Sequence, residues 1–254
     1  MADSLRELSI LAGLALAWVV AAFVLVGRLK RRRGWRTGDT RKLFHFLIFG
    51  GAALVQWRTG FRGACIYGVV VSAAVLFAIL RNEGNPWFEA LARESDAPHR
   101  TWYLVVPWFA TALDGLAANL CFPRHAIFSY LAVRLADAVA EPVGIRFGRH
   151  RYRVPLPRFM AGRVVSYRSL EGSAAVFVAA VVAGACALAI LGSGASLDAA
   201  GPAGSTWLAM SARLAAFAAA CTLVEAVAPH GWDNLLIQFA TSAAACALFP
   251  TEHP

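Results

Sequence analysis

Residues 126–148 read AIFSYLAVRLADAVAEPVGIRFG. The stretch opens as an apolar helical segment and closes on Asp137, Glu141, Pro142, Gly144 and Gly148. Seven arginines lie from Arg146 to Arg168 inclusive, the last within Tyr167-Arg168-Ser169-Leu170-Glu171-Gly172-Ser173, which starts the next apolar run. An ionisable group is costly inside a bilayer, so an acid there is read first as functional. Acids, glycines and dense positive charge at one end of an apolar segment predict a membrane helix whose end meets a polyanion, a nucleotide or a lipid phosphate.

The rest of the chain agrees with a membrane setting. Of 254 residues, 59% are hydrophobic and 15% charged, and the mean hydropathy is +0.57, which excludes an ordinary soluble globular chain. About twenty helical residues cross the hydrocarbon core. On that rule the candidate spans are 8–27, 43–57, 63–80, 102–122, 126–145, 173–191, 207–227 and 235–249. The second is short, rising only ~22 Å at about 1.5 Å per residue. The prediction is an all-α, polytopic integral membrane protein of about eight transmembrane helices, seven if 43–57 fails to span. It forms a single domain over 1–254. The first span carries no small-residue cleavage pattern and is read as retained rather than as a signal peptide.

Lysine and arginine set the orientation. Eight lie between Arg28 and Lys42, three between Arg81 and Arg100 and seven between Arg146 and Arg168, against Arg6, Arg58, Arg62 and Arg124 on the other side. The positive-inside rule places both termini outside, the basic stretches in the cytoplasm and any site at the cytoplasmic face, in the cytoplasmic membrane if the source is bacterial. The net charge of +9 is therefore a topology and phosphate signal. No aromatic–basic interleaving of the nucleic-acid kind occurs, and no protein partner is implied. The five cysteines lack CxxC pairing and are expected in packing roles. Asn85-Pro86 predicts a short capped helix at the membrane surface. Residues 192–204 are rich in Gly, Ala and Ser, carry no Lys or Arg, and read as an outside linker.

Four polar constellations fall on the predicted cytoplasmic side. Arg41, Lys42 and His45 open the second span, Arg41 and His45 sharing a helical face that could hold a phosphate or merely mark topology. Asp137, Glu141, Gly144 and Gly148 form one stripe if the helix survives Pro142. The glycines admit a ligand or another backbone, and the acids suit Mg²⁺ held with nucleotide phosphates. The alternative for Asp137 is an ion pair with Arg134. Ser169 is placed to cap the next helix, whose start with Arg168 would attract phosphate or simply end in a cap with Glu171 in its first turn. Glu225 lies at membrane depth, and the turn Pro229-His230-Gly231-Trp232 returns Asp233 and Asn234 to the same surface.

Together these residues resemble a known family. Asp137-x-x-Ala140-x-x-x-Gly144-x-x-x-Gly148, with the later Arg168-Ser169-x-Glu171-Gly172, is similar to the CTP-binding signature of the dolichol kinase and phytol kinase family. Arg41-Lys42-x-x-His45 and Glu225…Asp233-Asn234 resemble its outlying motifs, so the likeness covers 41 to about 240, the span 8–27 standing outside it. Arg168 occupies a position where lysine is common, and the stretch from Gly148 to Arg168 is longer and carries Pro155 and Pro157. The resemblance implies a kinase that phosphorylates a long-chain isoprenoid alcohol, with CTP as donor and Mg²⁺ as cofactor. By carry-over the nucleotide site comprises Gly144, Gly148, Arg168, Ser169, Glu171 and Gly172, with Asn234, Arg41, Lys42 and His45 nearby.

In-line phosphoryl transfer needs positioning and charge neutralisation more than a covalent nucleophile. Asp137 and Asp233 are the expected Mg²⁺ ligands, and Glu225 or Glu141 the groups expected to orient or deprotonate the alcohol. Two competing readings stand beside this one. A phosphatidate cytidylyltransferase also uses CTP at a membrane. A carrier, or a binder of lipid phosphate without catalysis, could line its path with the same acids.

Overall fold

A computed structural model of the chain describes the backbone of residues 2–154, 167–191, 203–228 and 233–250. The side chains of 2–5, 95, 134, 137–138, 141, 203–206 and 233–235 lie outside the described set. So do the linker at 192–202 and the Pro229–Trp232 turn. The chain is mostly helical: α1 (Ala2–Arg33), α2 (Thr37–Arg81), α3 (Pro86–Leu91), α4 (Trp102–Cys121), α5 (Ala126–Phe147), α6 (Leu170–Ile190), α7 (Ala203–Val227) and α8 (Asp233–Leu248). Five of these, α1, α2, α4, α6 and α7, are long and apolar enough to cross a membrane, and α8 contributes the shorter apolar stretch Leu236–Leu248. Contacts divide the chain into two compact units, Met1–Leu116 and Ala117–Pro254, the division falling within α4.

In the first unit, the basic stretch after the first span is mostly helix and not loop. α1 runs to Arg33 with Lys30, Arg31, Arg32 and Arg33 in its last turn, where cations favour the helix dipole. Only Gly34, Trp35 and Arg36 separate it from α2.

α2 contains two of the expected spans. Gly60, at φ 66° and ψ −158°, interrupts it in a backbone region essentially reserved for glycine. The Tyr67 hydroxyl donates to Ile48 O at 2.8 Å across nineteen residues, which an unbroken helix would hold about 28 Å apart. The chain therefore reverses at Gly60 into a helical hairpin. Gly51 lies where Tyr67 and Trp18 close on its backbone, and a side chain there would collide with both. The first arm begins at Thr37, not 43. It is thus about 34 Å long, enough for the hydrocarbon core that 43–57 alone would miss. Arg58 covers the Trp57 ring at 4.5 Å beside the turn, the pairing expected at an interface.

α3 forms as its Asn-Pro start predicts. Asn85 Oδ1 accepts from Trp87 N at 3.0 Å and Pro86 occupies the first turn. Its apolar side is buried against protein: Trp87 stacks on Phe23 of α1 at 4.4 Å and meets Phe77 of α2 edge-on. Lys30 then ties three segments together, donating to Thr37 Oγ1 and Glu94 Oε1 at 2.6 Å and to Glu89 O at 2.5 Å. Arg100 donates to Glu89 Oε2 at 2.7 Å and to Ala92 O at 2.9 Å, and covers the Phe88 ring. Arg100 holds the Glu89 carboxyl below its ordinary range, and Lys30 draws Glu94 down to about 2.

In the second unit, α5 packs most extensively on α6, α6 on α7, and α8 on both α5 and α7. Phe128 stacks on Phe249 at 5.2 Å, Phe217 closes the cluster, and His125 Nε2 reaches Phe249 O at 2.8 Å. α6 buries Val176, Ala180, Ala183 and Ala187, a 3.6-residue stripe of small side chains suited to close helix approach. Val178 and Val182 of α6 and Leu208 and Leu223 of α7 point outward, as lipid-facing positions would. Of the five thiols, all free, only Cys221 is buried, while Cys121 and Cys186 are exposed rather than packed in a core. The unit also departs from an all-α reading. Arg151–Arg153 (β1) and Tyr167–Ser169 (β2) pair as an antiparallel ribbon inside the arginine-rich stretch.

Candidate functional site

The ribbon positions the start of α6. Arg151 pairs with Ser169, Tyr152 with Arg168 and Arg153 with Tyr167, so Tyr152 and Arg168 share one face. Leu170 N donates to His150 O at 2.9 Å and carries the ribbon directly into α6. Ser169, extended at φ −126° and ψ 148°, is the N-cap, its Oγ accepting from Gly172 N at 3.1 Å. Glu171 stands in the first turn, as the sequence predicts.

At this cap α5 and α6 approach each other closely. α5 stays helical through Pro142 and ends at Gly148, whose N–H returns to Gly144 O at 3.1 Å. A Cβ on Gly144 would lie 3.1 Å from Ser169 Oγ, and one on Gly148 2.9 Å from both Ser169 Cβ and Oγ. A Cβ on Gly172 would lie 3.0 Å from Ala140 O. Gly144 and Gly148 admit the Ser169 side chain, and Gly172 admits the backbone of α5. Two stretches about twenty residues apart, Ala140–Gly148 and Ser169–Gly172, are thus assembled into one seam.

Two ionic arrangements flank the seam. Arg168, mostly buried, pairs its Nη1 with the Glu225 carboxylate and the Glu225 carbonyl, and its Nη2 donates to Ala228 O at 3.2 Å. The arginine expected at a phosphate therefore joins the carboxylate expected at an alcohol. On the open side, Glu171 Oε1 meets His150 Nδ1 at 2.8 Å and accepts from the His150 backbone N–H at 3.3 Å, leaving Nε2 directed away from that contact. Tyr152 OH and Ser173 Oγ, 2.8 Å apart, link ribbon to helix.

The expected site residues divide accordingly. Gly144, Gly148, Ser169 and Gly172 meet, as do Arg168 and Glu225. Glu171 is joined to His150. Asp137 and Glu141 are carried by α5, and Asp233 and Asn234 by the first turn of α8. Their side chains, with that of Arg134, lie outside the described residues, so the expected Mg²⁺ ligands and the alternative Arg134–Asp137 pair do too. Among the described residues no group of three or more His, Cys, Asp or Glu could hold a metal ion. Arg41, Lys42 and His45 sit in the first unit, half-buried on the first arm of α2, with His45 edge-on to Phe49 at 6.3 Å.

Sequence reasoning missed His150, Tyr152 and Asp114. The alternation Arg-Tyr-Arg against Tyr-Arg-Ser is a period-two signal, but three residues is too short to read as a strand. Asp114, 2% exposed in α4, is a lone acid in a candidate span and was visible as such. Comparison of the chain with protein-family models, curated proteins and solved structures finds no match.

Proposed function

We propose that this chain is a polytopic membrane kinase with about eight spans that transfers the γ-phosphate of CTP to the hydroxyl of a long-chain isoprenoid alcohol at the cytoplasmic face. One observation carries the reading: the separated pieces that resemble the nucleotide signature, Gly144 and Gly148 on one side and Ser169 and Gly172 on the other, lie in a single seam with Arg168 and Glu171 beside it.

Asp137 and Asp233 would hold Mg²⁺, which neutralises developing charge on the transferred phosphoryl group. Arg168 would be held by Glu225 at the edge of the phosphate site, and Glu225 or Glu141 would orient the alcohol hydroxyl. Glu171, on the His150 imidazole and amide, keeps the first turn of α6 turned toward the ribbon.

The test is transfer of label from γ-labelled CTP, beside α-labelled CTP and ATP, to a panel of prenyl alcohols in vesicles with Mg²⁺. Label from the γ position in a lipid monophosphate is the expected result, and Asp137→Asn should abolish it in a protein that still inserts. Label from the α position would establish cytidylyl transfer instead. The engagement of Arg168 by Glu225 and two carbonyls favours a second reading, a lipid-phosphate binder in which that cluster is only a structural tie. Movement of neither label, from inserted and folded protein, would select it.

A further inference from the structure

The β1–β2 ribbon has a second face. Tyr152 and Arg168 turn toward Ser173, Glu225 and Ala228, while Arg151, Arg153 and Tyr167 are exposed, Tyr167 at 62%. Arg151 and Arg153 are alternate residues on one strand, so their side chains leave the same face about 7 Å apart. Arg149 precedes them, also exposed. Among the described residues no carboxylate pairs with any of these three guanidinium groups.

Exposed apolar side chains stand directly beside them. Ile145 and Phe147 end α5 at 68% and 64% exposure, and Leu170 opens α6 at 59%. Leu170 is also the first residue of a candidate membrane span. Bulky apolar and aromatic side chains at a helix end, rimmed by uncompensated arginines, match the layer where acyl chains give way to headgroups. A soluble polyanion would satisfy the arginines and leave the apolar collar in water; a lipid satisfies both.

We infer that this outer face, Arg149, Arg151 and Arg153 over the collar of Ile145, Phe147, Tyr167 and Leu170, binds the headgroups of anionic lipids in the membrane the helices cross. The inference does not rest on the kinase reading. It concerns the face of the ribbon turned away from Glu225, and its readout is lipid contact rather than turnover. Each basic residue near an anionic surface contributes about 1 kcal/mol, or roughly fivefold in occupancy.

The experiment uses the full chain in phosphatidylcholine vesicles doped with headgroup-photoreactive phosphatidylglycerol or, in parallel, equally photoreactive phosphatidylcholine. Adducts are mapped by peptide mass spectrometry. Adducts on 145–153 and 167–170 should favour phosphatidylglycerol several-fold, and Arg151→Gln/Arg153→Gln should remove most of that preference. Arg31→Gln/Arg32→Gln, at the end of α1, should leave it in place. Raising salt on the unsubstituted chain should lower the preference by screening, a reading that needs no variant to fold. Equal labelling by both lipids, or a preference indifferent to salt and to the double substitution, would overturn the inference. Displacement of the label by CTP would assign the arginines to the nucleotide and overturn it as well.

Discussion

Arg168 shows how a residue's role can change between chain and fold. Beside a helix start it looks like a phosphate ligand. In the structure its planar fork spans the Glu225 carboxylate and the Glu225 and Ala228 carbonyls, a geometry one ammonium could not cover. Both side chains are mostly but not fully buried, at 14% and 17% exposure. The pair's loss should therefore fall between that of a surface pair and that of a dry one. Glu225→Ala should cost about 2 kcal/mol, read as a lower thermal unfolding midpoint in detergent. Arg168→Lys should retain part of the ion pair and cost less. Equal midpoints for both variants and the parent would show that the pair contributes nothing.

The seam between α5 and α6 is a property of whole elements. Its glycines were legible as positions of close approach, but which segment approaches was not. Gly172→Val should force the helices apart, because even a Cβ would stand 3.0 Å from Ala140 O, and overpacking of this kind costs about 1–3 kcal/mol. Gly13, with open space around it, is the control: Gly13→Ala should leave the midpoint unchanged or raise it. The continuity of α5 at Pro142 was left open by the sequence, and in the structure the helix runs through it. α3 invites a pH test. Glu94 and Glu89 both have carboxyls lowered by cations in the folded state, so their contribution is complete above the ordinary 4.5. It is lost as pH falls from there toward about 2. Acidification through that window should lower the amide protection factors of 86–91, taken relative to the intrinsic exchange rate at each pH, and Lys30→Met should flatten the response.

At the scale of the molecule, the number of candidate spans depends on one residue. Gly60 makes two arms of α2, since its φ and ψ place it in a region where a side chain strains the backbone although the space around it is open. With an even number of crossings, both termini should lie outside and the ribbon in the cytoplasm. Reporter fusions would check this: a phosphatase should be active after Pro254, and a fluorescent protein should fluoresce when inserted near the ribbon. The opposite pattern would invert the assigned orientation.

The sequence by itself determined what nearest neighbours decide. Apolar runs with a helical period, the Asn85 and Ser169 caps and the mostly helical class all follow from preferences expressed within a turn or two. Only the tertiary structure decided the reversal at Gly60, the meeting of Gly144 with Ser169, the pairing of Arg168 with Glu225 across fifty-seven residues, and the division of the ribbon into an engaged and an exposed face. A charge or a glycine states locally what it can accept. What it receives depends on which distant segment the burial of apolar surface and the satisfaction of polar groups bring beside it.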